Sequence, residues 1–294
     1  MNRYKLIVNP IAGGGKALKL LPRIEEKLAA GGVDFDTHIT SCRGDATVAA
    51  KEAAEKGFNI VVAVGGDGTV NETLNGIAET GAALAAVHGG KGNDFCLSTR
   101  MPRNIDDACE ALIKAEIRYI DLGRVLNRYF INSVGTGFDA AVAHRVNKGV
   151  KPLKGLSAYI YSVVITLMIY RVFEMEIALP DETISARPML VGVGIGKSYG
   201  GGMMIVPDAL LDDGLFDICI FDQLSKPALL YHFPKVFSGS HVKLKQACMY
   251  RADQLVIRTA VDVPLHMEGE IFFGREMHFT LKPKGMPVLI GPGL

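Results

Sequence analysis

Apolar positions in the first part of the chain alternate between two periods. Short, often β-branched runs read as buried strands at Tyr4 to Val8, Phe35 to Thr40, Ile60 to Val64, Ala83 to Val87 and Arg118 to Leu122. Between them, helical spacing appears through Leu21, Ile24 and Leu28, from Asp45 to Lys56, from Val70 to Glu79, and through Ile105, Ala108 and Leu112. Gly31-Gly32 and Gly57 close two of these segments. Strands alternating with helices predict a parallel sheet with helices on both faces. Ligand loops then gather at the carboxyl ends of the strands.

The pattern changes after about Gly123. Strand-like runs follow one another at Tyr129 to Val134, Phe173 to Leu179, Met189 to Ile195, Phe216 to Phe221, Gln254 to Arg258, Val263 to Met267, Met277 to Leu281 and Pro287 to Ile290. Few helices separate them, which predicts an antiparallel sheet or sandwich as a second domain. The exception is Leu156 to Tyr170, uncharged and with three tyrosines. It is shorter than the ~18 to 20 residues a membrane span needs, so it reads as a core helix or as one touching a membrane surface. The cleft between the domains is the default ligand site.

Composition narrows the function. A chain of 294 residues suits two domains, and a net charge of +1 lacks the field a nucleic-acid binder needs. The 33 glycines cluster at the ends of apolar runs, as ligand loops do. Five scattered cysteines without CxxC spacing argue for a reducing compartment and against a zinc site or disulfide frame. The opening MNRYKLIVNP carries too short an apolar run for a targeting peptide.

Three glycine turns each follow a strand: Gly13 to Gly15, Gly65 to Gly68 and Gly89 to Gly92. Converging on one sheet edge, they would cradle phosphate, the second at a helix N-terminus. Neither GxxxxGK[ST] nor a first-strand GxGxxG is present, which disfavours a Walker NTPase and a dinucleotide oxidoreductase. Asp67, Asp94 and Asp121 lie at strand ends or in these turns and could together hold a hydrated Mg²⁺. In His266-Met267-Glu268-Gly269-Glu270, one carboxylate is a candidate general base, against a solvated surface turn. Pro207 to Leu215 is an acid-rich segment that spacing alone reads as a turn. His144, His232 and His241 are isolated, and no nucleophile-elbow serine occurs.

The ordered series NPIAGGG from Asn9, GGDGTVNETLNGI from Gly65, GGKGNDF from Gly89, Asp121-Leu122-Gly123 with Tyr129-Phe130-Ile131-Asn132, PDALLDDGLFD from Pro207 and EGE from Glu268 resembles the diacylglycerol kinase catalytic-domain lipid kinases. The similarity is to their soluble bacterial branch, related to sphingosine and ceramide kinases, and covers nearly the whole chain. It implies an α/β fold with a nucleotide-binding parallel-sheet domain (1–123 plus a returning tail, 284–294) and a β-rich, sandwich-like lipid-substrate domain (124–283). The implied activity is ATP- and Mg²⁺-dependent phosphorylation of a lipid hydroxyl, as in phospholipid biosynthesis.

By the same resemblance, ATP would meet Asn9, Gly13, Gly14, Lys16, Gly65, Gly66, Asp67, Gly68, Thr69, Glu72, Gly90, Lys91, Asn93 and Asp94. Asp67, Asp94 and Asp121 match acids linked through water to the catalytic Mg²⁺, and Glu270 matches the general base. Asp213, with the carbonyls of Leu210 and Leu215, matches a structural Mg²⁺ site. The implied partner is lipid at a membrane surface, without nucleic acid or a transmembrane segment. The implied location is cytoplasmic, with peripheral contact at the inner membrane face; a homodimer stays open. The chain departs from the family at His88 and Lys91, usually Pro and Thr, and at Glu268, usually Asp. Lys91 either adds a point charge for the phosphates or obstructs the site with a long cation. The alternatives are an NAD kinase-like enzyme, suggested by GGDGT with NE, and a non-catalytic nucleotide- or lipid-binding regulator.

Overall fold

In the computed structural model, which describes residues 2–147 and 156–293, the apolar run from Ile60 is buried along its whole length because helices cover both faces of its sheet. In chain order the first half comprises β1 (Arg3–Val8), α1 (Ala12–Ala30), β2 (Asp34–Ile39), α2 (Asp45–Glu55), β3 (Ile60–Gly65), α3 (Asp67–Ile77), β4 (Ala83–His88), α4 (Asp94–Ser98), α5 (Ile105–Lys114) and β5 (Ile117–Val125). Strands β2, β1, β3 and β4 pair in parallel in that order. Helix α1 buries Ala17, Leu21, Ile24 and Leu28 and packs with α5. On the other pair, α2 presents only alanines, and a Cβ at Gly76 of α3 would stand 2.4 Å from the Thr47 carbonyl oxygen. Small residues thus let α2 and α3 close on each other.

The second half comprises β6 (Arg128–Phe130), β7 (Ser133–Gly137), α6 (Phe138–Asn147), α7 (Leu156–Ile169), β8 (Met175–Ala178), β9 (Thr183–Ala186), β10 (Leu190–Gly194), β11 (Phe216–Phe221), α8 (Lys226–His232), β12 (Ala247–Ala252), β13 (Gln254–Met267) and β14 (Glu270–Leu289). Strands β12, β11, β10, β7, β13 and β14 form an antiparallel run. The runs at Gln254 to Arg258 and Val263 to Met267, expected as separate strands, are one strand, β13. Those at Met277 to Leu281 and Pro287 to Ile290 are likewise one, β14. Register irregularities at Arg258/Val263 and Lys282/Met286 break the alternation that the sequence pattern relies on.

Strand β14 carries the consequence of that length. Its first part pairs with β13, and its far end runs parallel to β4 at Val288 and antiparallel to β5. One strand therefore joins the two halves into a continuous sheet.

Three apolar clusters follow. One fills the parallel sheet and its helices, and one lies within the antiparallel strands around Phe130, Phe216 and Phe279. The third sits beneath α6, α7 and α8. Helix α7 buries Val163 and Leu167 in that third cluster while Val164, Met168 and Ile169 face outward. It is thus neither wholly core nor wholly surface; the side chains of 156–160, including the predicted Tyr159, lie outside the described residues. Among the described residues, no helix is long and apolar enough to cross a membrane.

Candidate active site

The three glycine turns meet because none carries a Cβ. A Cβ on Gly13 would stand 2.4 Å from the Gly89 carbonyl oxygen, and one on Gly90 would stand 2.3 Å from Gly66 Cα. Bulkier residues would force the turns apart. Together with the loop at Thr40 to Arg43 and the turn at Gly269 and Glu270, they enclose an open cleft of about 620 Å³. The amino end of α3, with its unpaired amides and positive dipole end, opens into it.

Asn9, Gly13, Gly14, Gly66, Asp67 and Gly68 line this cleft, as do Thr69, Glu72, Gly90 and Lys91. Asn9 Nδ2 donates to Thr69 Oγ1 at 3.2 Å, fixing the first turn to α3. Glu72 is turned toward α2, where it accepts the Gly44 amide at 3.0 Å. Gly65 and Asn93 support the cleft from behind: Gly65 ends β3, and the Asn93 side chain bonds both the Gly90 amide and the Gly90 carbonyl. Lys16 is exposed outside the lining, on the first turn of the regular part of α1. His88 also points away, since its buried ring donates to the Met101 carbonyl at 2.8 Å. The usual proline is therefore replaced by a residue that braces the chain after α4, not by one that meets a nucleotide.

Asp67 and Asp94 are brought together. Asp67 accepts the amides of Asn93 at 2.8 Å and Asp94 at 2.7 Å, and burial raises its pKa. Asp94 accepts the Gly201 and Gly202 amides, both at 2.9 Å, and burial plus the neighbouring Asp67 push it up to about 6. Burial and the Asp67 charge raise the proton affinity of Asp94, and among the described residues no arginine or lysine pairs with either carboxylate, so a cation is favourable there. Among the described residues no third acid, histidine or cysteine converges with them. The pair fits Mg²⁺, which keeps most of its waters and takes few carboxylates.

Asp121 lies elsewhere. Its oxygens accept the Gly214 amide at 2.7 Å and the Lys284 amide at 2.8 Å, and the acids near it are Asp212 and Asp213. It ties β5 to the Pro207 to Leu215 loop and to β14. In that loop the Asp213 carboxylate forms an ion pair with Arg251, which also approaches Asp217 at 3.6 Å. Leu210 is exposed, and the Leu215 amide donates to Asp213 Oδ1 at 3.2 Å. Arg251 thus sits on the one side-chain ligand that the resemblance assigns to a structural Mg²⁺.

The turn from β13 to β14 carries the remaining acids. Glu270 reaches the cleft, where Oε2 lies 3.1 Å from Arg43 and 3.9 Å from Arg128. Glu268 points inward instead. Its carboxylate accepts Asn71 Nδ2 at 2.7 Å, the Ile131 amide at 2.7 Å and the Asn132 amide at 2.6 Å. Burial lifts it to about 7 against these three donors. Asn71 stands one helical turn beyond Asp67 on α3, so Glu268 pins the turn bearing Glu270 to the helix bearing Asp67.

An apolar cavity of about 100 Å³ lies on the other side of that turn, walled by Val142, Val163, Leu190, Phe221 and Leu244 among others. His266 and Asp139 line it too. His232 and His241, set aside as isolated, reach the same cavity, and buried His241 bonds the Ile205 carbonyl at 3.1 Å.

Several site residues escaped the sequence reading. Gly201 and Gly202 belong to a visible Gly200-Gly201-Gly202 run, which a fourth glycine-turn search would have found. Asn71 and His266 stood inside quoted motifs without a role of their own, and Arg43 and Arg128 carry no local signal because Glu270 lies far away in sequence.

Comparison with known proteins follows the same layout. The family described as "Diacylglycerol kinase catalytic domain" matches residues 3–125, and that described as "YegS C-terminal NAD kinase beta sandwich-like domain" matches residues 132–290. The chain is 32% identical to a diacylglycerol kinase of Bacillus subtilis over 92% of its own length and 90% of the relative's. It is 29% identical to one from Staphylococcus saprophyticus, over 91% and 88%. A crystal structure of a diacylglycerol kinase from Bacillus anthracis superposes with a TM-score of 0.78 at 26% identity, covering 99% of this chain and 97% of the other.

Proposed function

We propose, from the fact that the chain belongs to the diacylglycerol kinase family and is a lipid kinase, that it transfers the γ-phosphoryl group of ATP, bound with Mg²⁺, to the hydroxyl of a diacylglycerol or related lipid. The observation that carries this reading is the place of Glu270. It belongs to a turn of the second half of the chain, yet its carboxylate reaches into the polar cleft built by the glycine turns of the first half.

Phosphoryl transfer asks a protein mainly for positioning and charge compensation. The amides at Gly13, Gly66 and Gly68 and the amino end of α3 suit a triphosphate, and Lys91 on the cleft wall adds a compact positive charge. Asp67 and Asp94 would hold Mg²⁺. That ion, when bound, supplies neutralisation of the phosphate charge. Glu270 takes the proton from the lipid hydroxyl as its oxygen attacks. Arg128 helps orient Glu270, while Arg43, exposed at the rim, is free to turn from the base to an entering phosphate.

The first few carbons of the acyl chains enter the cavity beneath α6, α7 and α8, which at about 100 Å³ holds only part of them. Their source is a membrane surface met by the exposed apolar residues of α7 and α8. Lys226 of α8 bonds the Met168 carbonyl at 2.8 Å and so links α8 to α7, on which Met168 and Ile169 are exposed, as is Tyr231 on α8.

The test is purified protein with Mg²⁺, labelled ATP and mixed micelles carrying diacylglycerol, phosphatidylglycerol or a sphingoid base. Label on diacylglycerol is expected. Absence of label on every lipid contradicts the proposal.

A further inference from the structure

The apolar cavity ends on polar groups to which phosphoryl transfer gives no task. His266 is 6% exposed, and its Nε2 lies 3.2 Å from the Gly269 amide, which donates to it. An accepting Nε2 carries no proton. Burial also lowers the imidazole to about 4, so the ring is neutral. Its one proton therefore sits on Nδ1, an assignment made from the Gly269 donor. Nδ1 is buried and has no hydrogen-bond partner among the described residues.

Asp139 repeats the pattern. Its Oδ2 accepts the Tyr199 hydroxyl, while the buried Oδ1 has no partner among the described residues. Both side chains line the cavity, and the Tyr199 ring lies 5.2 Å from the imidazole. No lysine or arginine lines it among the described residues, so an anionic headgroup has no counter-charge there. A neutral donor in an apolar wall suits a neutral acceptor oxygen, and an unmade buried hydrogen bond is costly. His266 pairs with Ile271 across β13 and β14, next to Glu270. His266 thus sits on the strand end that leads into the turn bearing Glu270.

We infer that His266 and Asp139 form the polar end of the lipid site, with His266 Nδ1–H donating to the carbonyl oxygen of an acyl ester close to the reacting hydroxyl. The assignment makes His266 a specificity-determining residue that separates ester-linked from ether-linked glycerolipids. It rests on the lipid-kinase reading, but binding tests it without turnover.

The experiment is equilibrium binding of 1,2-dioctanoylglycerol and of its ether counterpart, 1,2-dioctylglycerol, to the full chain. Wild type should favour the ester by about 5-fold or more, the range of one neutral hydrogen bond. His266→Gln keeps an acceptor for the Gly269 amide but places no donor at Nδ1, and should bind both lipids alike. His266→Asn places a donor near Nδ1 and should retain the preference. Equal binding of ester and ether by wild type overturns the inference, with no variant required. So does an undiminished preference in folded His266→Gln. Ester preference without phosphoryl transfer would leave this assignment standing and remove the kinase reading; transfer without ester preference would do the reverse.

Discussion

The cleft and the cavity on either side of the β13–β14 turn are built from opposite materials. The cleft is walled by backbone amides and carboxylates from glycine turns, which hold the cleft open. The cavity is walled by side chains from the third apolar cluster, with a few neutral polar atoms at one end. A highly charged donor and a neutral lipid would thus be bound by different chemistry in separate chambers, with Gly269 and Glu270 on the cleft and His266, three residues before Gly269, on the cavity. The difference teaches that the two substrates can be perturbed independently, while changes to the turn must affect their meeting.

The largest expected effect belongs to the cleft. Asp94→Asn removes one of the two adjoining carboxylates, and should lower Mg²⁺-dependent turnover by about 10². Direct Mg²⁺ titration of the protein checks the cause. Unaltered turnover and Mg²⁺ affinity would remove the Asp67–Asp94 pair from metal binding.

The turn comes next. Glu268→Ala leaves Asn71 and two buried amides without their acceptor, which at about 1–3 kcal/mol per unsatisfied group should cost at least about 3 kcal/mol. Chemical denaturation measures this, and Glu268→Asp should lose less. A cost below about 1 kcal/mol would show that the turn is not fastened to α3 in this way.

A smaller effect separates the chambers. Val163→Phe intrudes on the cavity and should raise the lipid KM by about 10-fold while the ATP KM stays within about twofold. Arg43→Ala should do the opposite. Equal shifts in both constants for either variant would break the comparison.

The last effect is pH-dependent. A folded-state pKa of about 7 for Glu268, above its ordinary value of 4.5, means the folded state holds the proton more tightly. Its contribution therefore favours folding at low pH and is lost as pH rises from 4.5 to about 7, with a slope of at most about 1.4 kcal/mol per pH unit. Stability curves of Glu268→Gln should lack that slope, and an identical slope would show that other groups carry it.

Much of this layout was legible in the sequence because it is local. The switch between strand and helix periods marked the parallel sheet, and glycines at strand ends marked the turns of the cleft. What was not legible depends on counter-charges and distant partners. Asp67, Asp94 and Asp121 looked alike as acids at strand ends and glycine turns, yet the fold brings only the first two together and sets Asp121 beside Asp212 and Asp213. Glu268 read as a substituted active-site acid, and its role as a fastener appears only once Asn71 and Asn132 are brought to it. Likewise β13 and β14 were each read as two strands, because bulges interrupt the alternation within them.

The account stands most directly on Glu270 acting from the turn. The decisive measurement is single-turnover transfer from saturating Mg²⁺ and ATP to dioctanoylglycerol, comparing wild type with Glu270→Gln. The account predicts a chemical step slower by about 10² or more with the ATP dissociation constant unchanged. Equal rates in the two proteins would contradict it.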